Sequence, residues 1–313
     1  MAVIDELESG LEPHRAVRLL RYLLDDDDYS QVIVTTHSPV LVEQAALENM
    51  AALQNQDGVV TITSLGNSNE LLQRLRRSAP SSLLAKRVVV VEGKTEHGML
   101  LTCIDLWDAE RSTHGLSTSA GEGVTIQDAK GGSEAAPRAA ALLGLGVSSA
   151  ALLDNDDRTV DAVVLDATEA GVKVVRWEMD RNTESQICSE LNADQLTELI
   201  QIGSELRKGD DTIFQDLNSI DSANPISSLN VEDWISAGIS IADARSRIAR
   251  AASSRAWFKT VDGGRMIGEF LTRNSARPQF SQVMLRLEEI KAFIYSEGQE
   301  VDDDQLPSES QDG

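Results

Sequence analysis

Short apolar runs alternate with amphipathic stretches from residue 87 to about residue 190. Four runs are rich in β-branched residues and end in polar ones, as buried parallel strands do, and they span 87–93, 124–129, 148–154 and 172–177. Apolar residues at helical spacing separate them, at 95–107, 133–143 and 160–170, and a further helix opens at Glu184. This alternation predicts an α/β fold, with a parallel sheet that is covered by helices on both faces.

A shorter α/β pattern precedes this region. The apolar residues before Asp5 end a strand, Pro13 opens a helix that extends to Leu24, and the run 32–37 (VIVTTH) predicts a second strand. Further on, the pattern predicts a strand at Val59–Ser64 and a short helix at Glu70–Arg77. The small, polar run Ser78–Ser82 predicts a domain boundary.

Beyond residue 191 the pattern becomes polar and mostly helical. Residues 192–254 are predicted to be a helical insertion, with helices at Asp194–Gly203 and Val231–Ser253. The stretch Trp257–Leu271 is mixed, and Gln282–Ile294 predicts a final amphipathic helix. The tail contains no Lys or Arg after residue 296 and is expected to be disordered. The predicted divisions are therefore 1–80, 81–191, 192–254, 255–295 and 296–313.

Composition restricts the class of protein. No apolar run approaches the roughly 18 residues that span a bilayer, and the N-terminus lacks the features of a signal peptide. Cys103 and Cys188 are far apart and outside any CxxC motif, which favours a reduced, cytoplasmic protein. The net charge of −23 argues against tight, non-specific DNA binding, although carboxylates that hold divalent cations would reverse the local sign.

Acidic residues and a histidine follow the two front strands. Asp5 and Glu6 end the first strand, and His37 ends the second. In nucleotide hydrolysis such an Asp holds Mg²⁺ through water, the Glu polarises the attacking water and the His contacts the γ-phosphate. Together with the intervening ESGLEP (8–13), these residues resemble the Walker B, D-loop and switch-histidine segments of ABC-type ATPases.

A P-loop requires the pattern GxxxxGK[ST]. The chain contains one GK[ST] sequence, Gly93-Lys94-Thr95, and no Gly stands at the required position before it. We therefore expect the front segment to be the C-terminal piece of an ATPase domain, in a fragment of a longer protein. ATP should bind only when the part that carries the P-loop is present.

A second group of acidic residues follows the strands of the main sheet. Glu92 ends the run RVVVV, Glu96 lies in the first turn of the next helix, and Asp154 and Asp156 end the run SSAALL. Ligands collect at the carboxyl ends of parallel strands, so the four carboxylates are expected to converge there. Ligation by oxygen alone favours Mg²⁺ or Mn²⁺ over zinc.

This pattern, a strand ending in Glu-Gly and a later strand ending in Asp-x-Asp, resembles the Toprim domain over residues 85–190. The order of an ABC-type ATPase followed by Toprim resembles the OLD (overcoming lysogenization defect) family, which includes nucleases of phage defence. The resemblance implies a homodimeric DNA endonuclease that uses two Mg²⁺ or Mn²⁺ ions. It also implies a further acidic ligand, for which we select Glu184, and a catalytic cation, for which we select Lys259.

Three other interpretations are weaker. The run 154–158 (DNDDR) is similar to the DxDx[TV] box of haloacid-dehalogenase phosphatases, but Arg158 stands where Thr or Val belongs. A topoisomerase-like strand transfer needs a nucleophilic Tyr, and Tyr22, Tyr29 and Tyr295 lie in no motif of their own. A non-catalytic Toprim module for assembly has no need of four mutually repelling carboxylates.

Overall fold

The computed structural model describes residues 1–25, 31–56, 58–66, 70–207, 209–275 and 281–295. The predicted acidic tail, 296–313, lies outside the described residues. Among the described residues, no helix is both long and apolar enough to cross a membrane.

The front segment consists of two parallel strands and two helices. β1 (Ala2–Ile4) pairs with β2 (Val32–Val34), α1 (Pro13–Asp25) connects them, and α2 (Pro39–Gln44) follows β2. The helix α1 packs its apolar stripe into a small core, lined by Leu7, Ala16, Leu20, Leu23 and Leu41. β2 is shorter than the predicted strand at 32–37: the Thr35 backbone still bonds to Ile4 and Leu7, but the His37 amide donates to the Glu8 side chain.

A hairpin and a helix connect the front segment to the main sheet. β3 (Ala51–Gln56), which the sequence analysis missed, pairs antiparallel with β4 (Val59–Ser64), and α3 (Glu70–Ser78) follows. The apolar residues of this region pack against the main sheet, through Leu47, Leu65, Leu72 and Leu75. On α3, Arg76 donates hydrogen bonds to the backbone carbonyls of Glu43 and Ala45 and so joins the two parts of the chain.

The main sheet has four parallel strands: β5 (Arg87–Val91), β6 (Val124–Asp128), β7 (Ser148–Leu153) and β8 (Lys173–Arg176). Their order is β6-β5-β7-β8. The chain therefore moves to one side of β5 to form β6 and returns to the other side to form β7. The predicted α/β fold is confirmed, and the change of direction places a topological switch point between the neighbouring strands β5 and β7.

Helices cover both faces of this sheet. α5 (Gly132–Leu143) and α6 (Asp161–Glu169) join α3 over one face, where alternate residues such as Val88 and Val90 are buried. α4 (Lys94–Thr113) and α7 (Thr183–Glu190) cover the other face, which buries Val89 and Val91. Burial on both faces explains why the central strands β5 and β7 read as continuous apolar runs.

The rest of the chain is helical and shares the core of the α4 face. α8 (Ala193–Arg207), α9 (Asp210–Ile220), α10 (Val231–Ser236) and α11 (Ile241–Ser254) lie in the segment predicted to be a helical insertion, and α12 (Val261–Asn274) and α13 (Ser281–Ile294) follow. The prediction of one helix at Val231–Ser253 was wrong: the chain turns at Gly238, whose φ is +98°, a conformation that interrupts a helix. The mixed stretch Trp257–Leu271 is largely helix α12. The domain boundaries themselves stay predictions.

The helices α4 and α12 are in backbone contact. A Cβ on Gly98 would lie 2.0 Å from the carbonyl oxygen of Val261, and a Cβ on Gly264 would lie 2.2 Å from that of Thr95. A side chain at either position would force the helices apart. Since α4 begins just after β5, this packing holds the turn before α12 beside the carboxyl end of the sheet.

Candidate metal centre

Two acidic residues meet at the switch point. Glu92 follows β5 directly and Asp154 follows β7 directly, and these strands are neighbours with Val91 paired to Leu152. The Asp154 amide donates a hydrogen bond to Glu92 Oε2 over 3.2 Å. The predicted convergence of these two positions is therefore present in the fold.

Two buried glutamates lie in the first turns of helices beside them. Glu96 on α4 turns back to its own helix start, where its Oε2 accepts a 3.0 Å hydrogen bond from the Gly93 amide. Glu184 lies in the first turn of α7. Each is only 6% exposed, whereas Asp156 is at the surface. Burial of carboxylates at this density requires a compensating charge or a proton.

The carboxylates alter each other's protonation. Burial, followed by the charges of Glu96 and Glu92, raises the pKa of Asp154 to about 9. Burial, followed by the charge of Glu96, raises the pKa of Glu184 to about 7, and burial also raises the pKa of Glu92. Within the described part of the chain, none of the five carboxylates, Glu92, Glu96, Asp154, Asp156 and Glu184, forms an ion pair with Lys or Arg.

Lys259 is the cation whose charge acts on these carboxylates. It is exposed on the turn before α12, and its charge lowers the pKa values of Glu92 and Glu184 against the effect of burial. The turn is anchored from α4, because Thr95 Oγ1 donates a 3.1 Å hydrogen bond to the carbonyl of Phe258. The structure thus brings the residue selected from the sequence next to the cluster, over a separation of more than 160 residues.

A glycine shapes the space around Glu92. A Cβ on Gly132, the first residue of α5, would lie 2.8 Å from the carboxylate carbon and from both carboxylate oxygens of Glu92. Any side chain there would displace the carboxylate. The contact of Gly132 with the Glu92 carboxylate was not predicted from the sequence.

The donor chemistry of the cluster fits hard divalent cations, because all five groups supply oxygen and lie together without ion pairs. Among the described residues, however, no three His, Cys, Asp or Glu side chains are arranged so that they could hold a metal ion without movement. Four carboxylate oxygens of the cluster already accept hydrogen bonds from the protein: Glu92 Oε2, Glu96 Oε2, Asp154 Oδ1 and Asp156 Oδ2. Metal binding would thus use the remaining oxygens of these carboxylates and would need some side-chain movement within the cluster.

The predicted residues of the front segment also lie at one sheet edge. Thr35 Oγ1 donates to Asp5 Oδ1 over 2.5 Å and accepts from the Glu6 amide over 2.8 Å. Glu8, which the sequence analysis did not select, accepts hydrogen bonds from Thr36 Oγ1 and from the His37 amide, each of 2.7 Å. The side chains of Asp5, Glu6 and His37 are exposed at the carboxyl ends of β1 and β2.

The tyrosines do not suit a nucleophilic role at the acidic cluster. Tyr295 is buried, and its hydroxyl donates to Asp108 on α4. Asp108 lies twelve residues (108 − 96) beyond Glu96 on that helix, which is about 18 Å at 1.5 Å per residue. Tyr22 lies on α1 in the front segment, and Tyr29 is outside the described residues.

Comparison with protein families gives a match at the front of the chain. Residues 2–43 match the model of a family described as AAA domain, putative AbiEii toxin, Type IV TA system. No curated protein matches the chain. The match covers β1, α1, β2 and almost all of α2, and AAA-type domains are associated with nucleotide binding. The front of this chain is therefore an AAA-type ATPase-like segment, as its acidic pair and histidine indicated.

Proposed function

We propose that this chain is a Mg²⁺- or Mn²⁺-dependent DNA endonuclease of Toprim type, from the OLD family, whose activity an ATPase part regulates in the full protein. The observation that carries the proposal is the group of five carboxylates at the switch point between β5 and β7, none of which forms an ion pair with a Lys or Arg among the described residues. Open α/β sheets bind ligands at this place. Because the carboxylates repel one another, the arrangement is costly unless cations are bound to it or some of the groups are protonated.

The residues divide into ligands and a charge-stabilising cation. Glu92, Glu96, Asp154, Asp156 and Glu184 would hold the ions. Bound Mg²⁺ or Mn²⁺ would supply activation of water and stabilisation of the leaving 3′-oxygen, so that the product carries a 5′-phosphate. Lys259 lies at the exposed side of the cluster, where its ammonium group can stabilise negative charge that develops on the phosphoryl oxygens.

Three exposed lysines at the carboxyl edge of the sheet support a phosphodiester substrate. Lys94 starts α4, Lys130 follows β6, and Lys259 precedes α12. Among the described lysines, Lys173 and Lys291 pair with Glu289 and Glu110, whereas these three form no ion pair. In a protein of charge −23, unpaired cations that flank an acidic cluster fit a polyanionic substrate better than a neutral one.

Replacing Lys130 or Lys94 by Ala should weaken DNA binding. The slope of log K against log salt concentration should become shallower by about one, as expected for one lost phosphate contact. The measurement is fluorescence anisotropy of labelled duplex DNA at several salt concentrations, with Ca²⁺ present. Lys86→Ala is the matched control, because Lys86 is also exposed and forms no ion pair with a described residue but precedes β5 at the opposite edge of the sheet. Equal slopes for all variants would exclude this path for the DNA strand.

The ATPase-like segment should have no part in cleavage by this chain alone. Without a P-loop, no backbone amides or Lys hold the β- and γ-phosphates, and Glu6 and His37 remain exposed surface residues. Glu6→Gln and His37→Ala should leave the cleavage rate within about twofold of the wild type. ATP turnover and plasmid cleavage, measured together, check this. If the 313-residue chain alone hydrolyses ATP and Glu6→Gln stops this hydrolysis, the prediction is contradicted.

Plasmid cleavage with and without chelator tests the proposed function. Supercoiled plasmid should be nicked or linearised in Mg²⁺ or Mn²⁺, without ATP, and should remain intact in EDTA. Cleavage that persists in EDTA would rule out metal-dependent hydrolysis. Products bearing 3′-phosphates would rule out the proposed leaving group.

A further inference from the structure

The first turn of α7 contacts both acids of the Asp-x-Asp motif. Thr183 donates two hydrogen bonds to Asp154 Oδ1, from its backbone amide over 2.9 Å and from its Oγ1 over 3.2 Å. Asn182 Nδ2 donates a 3.1 Å hydrogen bond to Asp156 Oδ2. Glu184, the next residue, is itself a member of the cluster. Three consecutive residues thus act on the same site.

The orientation of these groups is determined by further bonds. Asn182 is the N-cap of α7: its Oδ1 accepts from the Ser185 amide over 3.0 Å, which directs Nδ2 outward to Asp156. The hydroxyl of Thr183 also accepts a 2.8 Å hydrogen bond from Trp177 Nε1. Trp177 is the donor in that bond, so the Thr183 hydroxyl keeps its own proton for the bond to Asp154 Oδ1.

The helical insertion supports the same turn. Asn182 Nδ2 lies 3.3 Å from Ser253 Oγ, at the end of α11, and α11 packs along α7. The insertion therefore reaches the carboxylates through one amide group. Neither Asn182 nor Thr183 carries a charge, so the turn can restrain the two acids without neutralising them.

We propose that Asn182 and Thr183 are positioning residues that set the rotamers of Asp156 and Asp154 for divalent metal binding. The inference rests on the proposed metal-dependent function. Partners that orient metal ligands typically contribute 10–100-fold to metal affinity. The side-chain amide and hydroxyl of these two residues should have an effect of that size, although neither touches the metal.

Calorimetric titration of Mn²⁺ into the full chain tests this role without relying on activity. Asn182→Ser keeps an N-cap but removes the donor to Asp156, and it should weaken Mn²⁺ binding by about tenfold or more. Thr183→Val should weaken it similarly, whereas Thr183→Ser, which keeps the hydroxyl, should restore affinity close to the wild type. Asn230→Ser is the matched control, because Asn230 is the N-cap of α10 and contacts none of the five carboxylates.

Thermal melting in EDTA shows whether each variant is folded. If Thr183→Val fails to fold because Trp177 loses its acceptor, Asn182→Ser alone decides. Mn²⁺ affinity within about twofold of the wild type for Asn182→Ser would overturn the positioning role while leaving the metal centre intact. A wild-type chain that binds no Mn²⁺ would instead overturn the proposed function, and the positioning role with it.

Discussion

Replacing Glu92 by Gln should lower the rate of metal-dependent DNA cleavage at least about a hundredfold. Removing a group that merely orients a metal ligand typically lowers metal affinity or activity 10–100-fold. Loss of a ligand should therefore lower the cleavage rate by more than that. Gln preserves the volume of the side chain beside Gly132 and an oxygen that can accept from the Asp154 amide. The effect should therefore come from the lost charge, and the fold should be retained. Initial rates of plasmid cleavage at saturating Mg²⁺ provide the measurement.

Glu169→Gln is the matched control for this prediction. Glu169 is exposed at the end of α6, at the other edge of the sheet, and the same substitution there should leave the rate unchanged. A Glu92→Gln chain that cleaves as fast as Glu169→Gln would exclude the carboxylate cluster as the catalytic site.

Replacing Asp154 by Asn should stabilise the metal-free protein while abolishing cleavage. The amide oxygen can still accept the two hydrogen bonds from Thr183, and one of the mutually repelling carboxyl groups is removed. The melting temperature in EDTA should rise by several degrees, since about 1 kcal/mol corresponds to roughly 2–4 °C in a protein of this size. Asp166→Asn, at an exposed site on α6, is the control.

The pH dependence of that stability should change as well. Burial and the neighbouring acids raise the pKa of Asp154 from 3.8 to about 9. A group whose pKa is higher in the folded chain stabilises it below the unfolded pKa and loses that contribution as the pH rises through the folded pKa. The free energy of unfolding in EDTA should therefore fall between about pH 4 and pH 9, and it should fall less in Asp154→Asn. If the free energy of unfolding has the same pH profile in the wild type and in Asp154→Asn, the raised pKa of Asp154 is contradicted.

Much of the fold could be predicted because its signals are local. The central strands β5 and β7 are apolar runs buried on both faces, and Glu92 and Asp154 follow them at positions that the parallel pattern alone brings to one edge. β3 was missed because its sequence, AALQNQ, is half polar and its pairing depends on β4. A strand of this kind is specified by its partner more than by its own residues.

Contacts distant in sequence could not be predicted. Gly98 and Gly264 are unremarkable glycines in helices, and only the packed pair shows that α4 and α12 touch through their backbones and hold Lys259 near Glu92. The roles of Asn182 and Arg76 likewise depend on groups from other elements. The sequence predicted a helix that opens at Glu184, but not the Asn182 cap of that helix or its bond to Asp156.

The most direct test of the account is a crystal of the chain soaked in Mn²⁺ and measured at the manganese absorption edge. We expect two anomalous peaks among Glu92, Glu96, Asp154, Asp156 and Glu184. They should lie about 3.5–4 Å apart, with carboxylate oxygens at roughly 2.0–2.2 Å from each, near the octahedral Mg²⁺ distance. Ordered carboxylates without anomalous density at saturating Mn²⁺, or peaks only elsewhere on the protein, would contradict the assignment of this cluster as a metal centre.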